Sequence, residues 1–148
     1  MLGHSIKVDF LIPGTATGPL LHIEDAVSIW GGIDIASGRL IEAGHPDYGA
    51  TLAGKLLVGG KTKGSTAGPG ALLELMHKGC GPAGFLTFGP DPVLLAAAKA
   101  MNLLDRKPAP IAIVTQEYWR EVLRWCRECP EWLLTLDADA CTASVAKP

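Results

Sequence analysis

The sequence predicts an α/β fold, strand-rich in its first half and built on a βαβ unit in its second, with two β layers backed by one helical layer. Three observations carry that reading. Apolar and polar residues alternate over 6–12, as on a strand with one buried face. Two short apolar runs, 55–58 and 84–88, bracket a segment of helical period at 69–78. With 148 residues, 48% of them apolar, the chain can bury one full core but not comfortably two.

The first strand, 6–12, ends at Pro13-Gly14, and a second covers 20–23. Between them, residues 14–18 are all small and read as a turn set close to another backbone or a ligand. Residues 28–34 are rich in strand formers but contain Gly31-Gly32, the pattern of a bulge or a close approach. Arg39-Leu40-Ile41 is another short strand, followed by a loop at 44–49. The βαβ unit that begins at Lys55 is expected to be parallel, with a right-handed crossover. Asp91 offers an N-cap and Pro92 a first-turn residue for a helix reaching Met101. Residues 111–114, apolar on both sides, read as a third parallel strand. After Thr115 comes a helix over 117–129 whose apolar positions include Trp119, Val122, Leu123 and Cys126. An edge strand at 132–136 and a polar tail from Asp137 that frays complete the reading. The whole is one domain over 1–148, its core spanning 6–115.

The 18 glycines and 11 prolines are spread without a repeat and mark tight turns between short elements. A net charge of -2 supplies no field of the kind nucleic acid or anionic lipid attracts, so neither is an expected partner. No leader pattern and no run of about 18 apolar residues is present, which makes the cytoplasm the expected location. The cysteines, Cys80, Cys126, Cys129 and Cys141, read as reduced thiols. Cys126 and Cys129 have a metal-like spacing, but a matching second pair is missing, and no metal site is assigned.

The richest candidate for chemistry is the polar, glycine-rich stretch 61–70, between a strand and a helix. Free amides and the positive end of the helix dipole meet at such a junction and can hold a carboxylate or phosphate. Ser65 sits there. As an ordinary N-cap it contributes about 1 kcal/mol; as a base it needs an alkoxide stabilised by the helix-terminal amides and a cation, for which Lys63 is nearest. Trp30 and Asp34 read either as lining a site or as a core filler and a turn cap. His45, before Pro46, is a loop histidine that can titrate near neutrality. No Ser-His-acid framework for an independent hydrolase is visible.

Several of these stretches occur together in one order: Trp30-Gly31-Gly32-Ile33-Asp34; Gly38-Arg39-Leu40-Ile41 followed by His45-Pro46; Leu52-Ala53-Gly54-Lys55; and Gly64-Ser65-Thr66 ahead of Leu72-Leu73-Glu74-Leu75. Over residues 6–114 this set resembles the small subunit, or swivel domain, of aconitase X. The resemblance implies a swivelling β/β/α fold that closes over a cluster-bearing large subunit. It also implies a hydro-lyase acting on a small hydroxy acid, cis-3-hydroxy-L-proline or mevalonate 5-phosphate. The family's loop resembles G-S-S-S-G-S; its first serine, the base, falls on Ser65, and Thr66 stands for the second. Substrate contacts then fall to Lys63, Gly64 and Thr66, with Trp30, Gly32, Asp34 and His45 lining the site. Ala67 and Pro69 replace later serines, which leaves open a non-catalytic, anion-binding or regulatory module of the same fold. Iron, or an iron-sulfur cluster, is expected on the large subunit and not on this chain.

Overall fold

A computed structural model describes residues 4–59, 61–63 and 68–148. Eight strands form one mixed sheet: β1 (Ser5–Lys7), β2 (Asp9–Ile12), β3 (Thr15–Ile23), β7 (Leu56–Gly59), β9 (Gly84–Thr87), β10 (Ile111–Ile113), β11 (Leu133–Asp137) and β12 (Thr142–Ala146). Two short pairs lie apart from it, β4 (Val27–Ser28) with β8 (Thr62–Lys63) and β5 (Ile33–Asp34) with β6 (Arg39–Leu40). The helices are α1 (Ile29–Gly32), α2 (Gly68–His77), α3 (Pro92–Leu103) and α4 (Trp119–Glu128).

The strand order in the large sheet is β1-β12-β11-β3-β7-β9-β10-β2. Strands β1 and β2 stand at opposite ends of that order, yet only Val8 separates them in the chain. The sheet therefore curls until its two edges meet, and the Val8 amide bonds Cys141 O at 3.0 Å across the seam. The alternation over 6–12 is thus two strands and not the single one expected, because the chain passes from one edge to the other at Val8.

One apolar cluster fills the interior of the curl: Ile6, Leu20, Leu56, Val58, Leu86, Ala112, Leu134, Leu136 and Ala143 come from its strands. Alternate residues of the parallel strands point the other way, and Leu57, Phe85 and Ile111 join Leu72, Leu75, Leu94 and Ala98 beneath α2 and α3. The two expected β layers are two sides of one curled sheet, and the helices supply the outer layer. Strands β7, β9 and β10 run parallel, as the βαβ pattern predicted, and β3 joins them in parallel beside β7.

The C-terminal segment departs from expectation. Residues 132–136 are not an edge, for β11 lies between β3 and β12, and the expected fraying tail contains β12, paired on both sides. Short side chains in a polar stretch hid the alternation of Ala143 and Val145, which are buried. In α4 the buried residues are Val122 and Trp125, whereas Trp119 and Leu123 remain partly exposed. Of the two tryptophans of the helix, Trp125 is the one that enters the curl. Residues 15–18, expected in a turn, open strand β3; the expected close approach is real, since a Cβ on Gly18 would lie 2.3 Å from Gly54 O. Asp91 caps α3 through the Val93 amide at 2.9 Å, as read from the sequence.

Candidate functional site

Segment 64–67 joins β8 to α2, and Gly64, Ser65 and Thr66 lie outside the described residues. Both flanks are described, and polar contacts hold the leading one. Strand β8 pairs in parallel with β4, with Thr62 beside Val27 and Lys63 beside Ser28. Thr62 donates its amide and its hydroxyl to the Asp91 carboxylate, each at 2.8 Å. Asp91 therefore ties β8 to the start of α3. On the other side Glu42 accepts the Ser28 amide at 2.9 Å and meets Lys63 Nζ at 3.0 Å. The Ser28 amide, and after it Lys63, hold the Glu42 carboxyl below the usual carboxylate range.

Of the other expected site residues, two belong to this frame. Gly32 is buried against Glu42, whose Oε1 would lie 3.2 Å from an added Cβ, so a side chain there would crowd the carboxylate. Trp30 is 63% exposed and lines a broad hollow with Gly31, Ile35, Gly70, Ala71 and Glu74, beside the first turn of α2. Gly31 at φ 83 permits the turn that presents it.

Asp34 and His45 are engaged in local structure. Asp34 accepts the Ser37 hydroxyl at 2.6 Å and the Ala36 amide at 3.3 Å, closing the turn between β5 and β6; these two donors lower its pKa. His45 is 6% exposed; its Nδ1 accepts the Asp47 amide at 3.0 Å and its Nε2 lies 3.1 Å from Asp25 O. Both ring nitrogens are occupied, so His45 fastens its loop to residue 25 and has no free nitrogen for a substrate. Glu42 and Thr62, which organise the frame, were missed in the sequence. A lone acid after a short strand and a threonine between lysines carry no pattern.

A second feature was also missed. At the C-terminal ends of β3, β7 and β9 lies a cavity of about 200 Å³, lined by His22, Glu24, Gly59, Lys61, Thr87, Phe88, Gly89, Asp91 and Leu123. Lys61 belongs to the cavity and Gly70 to the Trp30 hollow, so the flanks of segment 64–67 touch two separate depressions.

Burial pushes the Cys126 thiol up to about 12 and raises Cys129 as well. Cys80 and Cys141 donate to the carbonyls of Ala36 and Ala138. Among the described residues, no group of three or more His, Cys, Asp or Glu side chains could hold a metal ion, and no helix is long and apolar enough to cross a membrane.

A curled mixed sheet with an outer pair of helices and a cavity at the ends of its parallel strands is the architecture of a swivel-type α/β domain. Residues 5–124 match the aconitase X swivel domain, and the chain belongs to that family. Its relatives include the phosphomevalonate dehydratase small subunit of Methanocella arvoryzae, 38% identical over 103 residues, covering 68% of this chain and 78% of that one. The cis-3-hydroxy-L-proline dehydratase of Pseudomonas aeruginosa is 36% identical over 115 residues, 78% of this chain but only 20% of that much longer protein. The holo-form crystal structure of Thermococcus kodakaraensis aconitase X superposes with a TM-score of 0.78 at 20% identity, covering 98% of this chain and 100% of the other, a likeness of fold.

Proposed function

We propose that this chain is the small subunit of an aconitase X-type hydro-lyase, completed by a large subunit, which dehydrates a hydroxy acid with Ser65 as the base. Relatives named as dehydratases support the reaction class. The observation that carries the reading is the clamp on the strand leading into segment 64–67, with Asp91 on Thr62 and Glu42 on Lys63. A base that must reach a substrate on another subunit needs such a fixed root.

In this reading the Ser65 oxygen takes a proton from the carbon next to the substrate's hydroxyl-bearing carbon. The C–H electron pair becomes the new C=C bond, the hydroxyl departs with the C–O electron pair as hydroxide, and it becomes water on taking up a proton equivalent to the one Ser65 removed, which returns the serine oxygen to its starting state. The amides at the start of α2 would steady the serine oxygen. Lys63, already paired with Glu42 at 3.0 Å, serves better to hold the loop root than as a free cation. An iron or iron-sulfur centre is assigned to the large subunit, where the family resemblance puts it. Cis-3-hydroxy-L-proline is the preferred substrate and mevalonate 5-phosphate the alternative; the named relatives include both chemistries.

The test is reconstitution with a large subunit of the aconitase X family. Ser65→Ala should lower kcat by about 10²–10⁴-fold, the usual worth of a positioned base, with KM little changed. Unchanged turnover in that variant would remove Ser65 from the chemistry. A chain that never associates with a large subunit would instead favour the non-catalytic module suggested by Ala67 and Pro69.

A further inference from the structure

The fold makes no use of the Trp30 ring. It is 63% exposed, and among the described residues its indole enters no hydrogen bond, ring stack or cation contact. The turn that carries it is nonetheless built with care for its backbone. Gly31 takes φ 83, Ser28 Oγ donates to Trp30 O at 2.9 Å, and the Ile41 amide donates to Gly32 O at 2.8 Å. A large apolar ring held in solvent on a braced turn is the usual form of an interface anchor.

One carboxylate joins that turn to the strand ahead of segment 64–67. Glu42 Oε1 accepts the Ser28 amide at 2.9 Å, and a Cβ on Gly32 would lie 3.2 Å from the same oxygen and 3.4 Å from Glu42 Cβ. The other oxygen, Oε2, lies 3.0 Å from Lys63 Nζ. Glu42 therefore touches both ends of the Trp30 turn and the last described residue before the segment. Its own backbone is braced, since Glu42 O accepts the amide of buried His45 at 3.2 Å. The pairing of β4 with β8 spans two residues on each strand, so the carboxylate is a second tie between the same two pieces. An ion pair whose lysine stands half in solvent adds little to stability. What it fixes is position.

We propose that Glu42 is a positioning residue that locks the Trp30 turn and the root of segment 64–67 into one body, and that a large subunit seated on Trp30 sets the placement of the segment through it. The occupant follows from continuity. The hollow beside Trp30 runs onto Gly70 and Ala71 in the first turn of α2, directly after the segment. A Cβ on Gly31 or Gly70 would meet nothing within 4 Å, so both walls are open to a side chain from outside. The proposal rests on the reading above, in which the segment reaches a substrate held by the large subunit; a body placed there covers Trp30 as well.

The coupling is tested on the full chain alone. Gly32 has no left-handed φ, so Gly32→Ala crowds the carboxylate without straining the backbone. It should move the amide NMR signals of Ser28 and Lys63 together. In a Glu42→Ala background, or the milder Glu42→Gln that keeps the side chain's shape, the same substitution should move Lys63 far less. An unmoved Lys63 in the first case, or an equal shift in all three, overturns the coupling. Docking is tested by calorimetry with a large subunit of the aconitase X family. Trp30→Ala should weaken association by about tenfold or more. Glu42→Gln should leave association within about twofold and lower kcat several-fold at unchanged KM. Wild-type association in Trp30→Ala overturns the docking, as does a wild-type chain that binds no large subunit. A complex that forms through Trp30 but turns nothing over sinks the dehydratase reading and leaves this proposal standing; an active complex indifferent to Trp30→Ala does the reverse.

Discussion

The curled sheet and the two short strand pairs beside it are held by different physics. The sheet closes on buried aliphatic side chains and continuous backbone ladders, with Trp125, Leu134 and Leu136 all at 0% exposure. The β4–β8 pair has two residues on each strand, and carboxylates anchor it: Asp91 from one side, Glu42 from the other. Apolar packing is insensitive to pH and salt, whereas carboxylate anchors respond to both. The loop proposed for chemistry hangs from the second kind of support, so its position can be changed without unfolding the first.

The largest effect should come from breaking the sheet side of that contrast. Trp125→Ala empties the interior of the curl and should cost about 3–5 kcal/mol, read as a lower urea midpoint with a similar slope. A loss under about 1 kcal/mol would mean that α4 is peripheral to the core.

A smaller stability effect and a larger functional one are expected on the polar side. Asp91→Ala removes the α3 cap and frees Thr62, for a loss of about 1–2 kcal/mol. In the reconstituted complex it should slow turnover by more than that loss of stability accounts for. Equal damage to both would show that Asp91 supports the fold and not the loop.

The smallest effect is a matter of pH. Glu42 has a folded-state pKa below its unfolded one, so its contribution is fully present above the ordinary carboxylate pKa and disappears as pH falls through the lowered value. Glu42→Gln should flatten the acid limb of stability while leaving the neutral plateau only slightly lower. An unchanged acid limb would mean that other carboxylates carry it.

The βαβ half was legible because its signals are local: an apolar run, a capping aspartate, a proline at the first turn, another apolar run. Partners distant in sequence were not legible. The break at Val8, the inward position of β11 and the pairing of β12 all depend on which strand lies alongside, and a stretch such as Thr142-Ala143-Ser144-Val145 gives little hint of burial. For the site, the strand-to-helix junction could be read from glycines and hydroxyls. Its fastenings could not, since Glu42 reaches Ser28 and Asp91 reaches Thr62 across 14 and 29 positions. His45 is the opposite case: a residue type that invited a chemical role is used to fasten a loop.

The seam at Val8 also imposes an order of events on a growing chain. Among the described residues, 5–7 find their ladder partner in 142–144, which emerges more than 130 positions later. Until then the ring stands open, with two raw edges on offer to any passing strand. The βαβ half can mature early, while the closing stitch must wait until residues 142–144 have been synthesised.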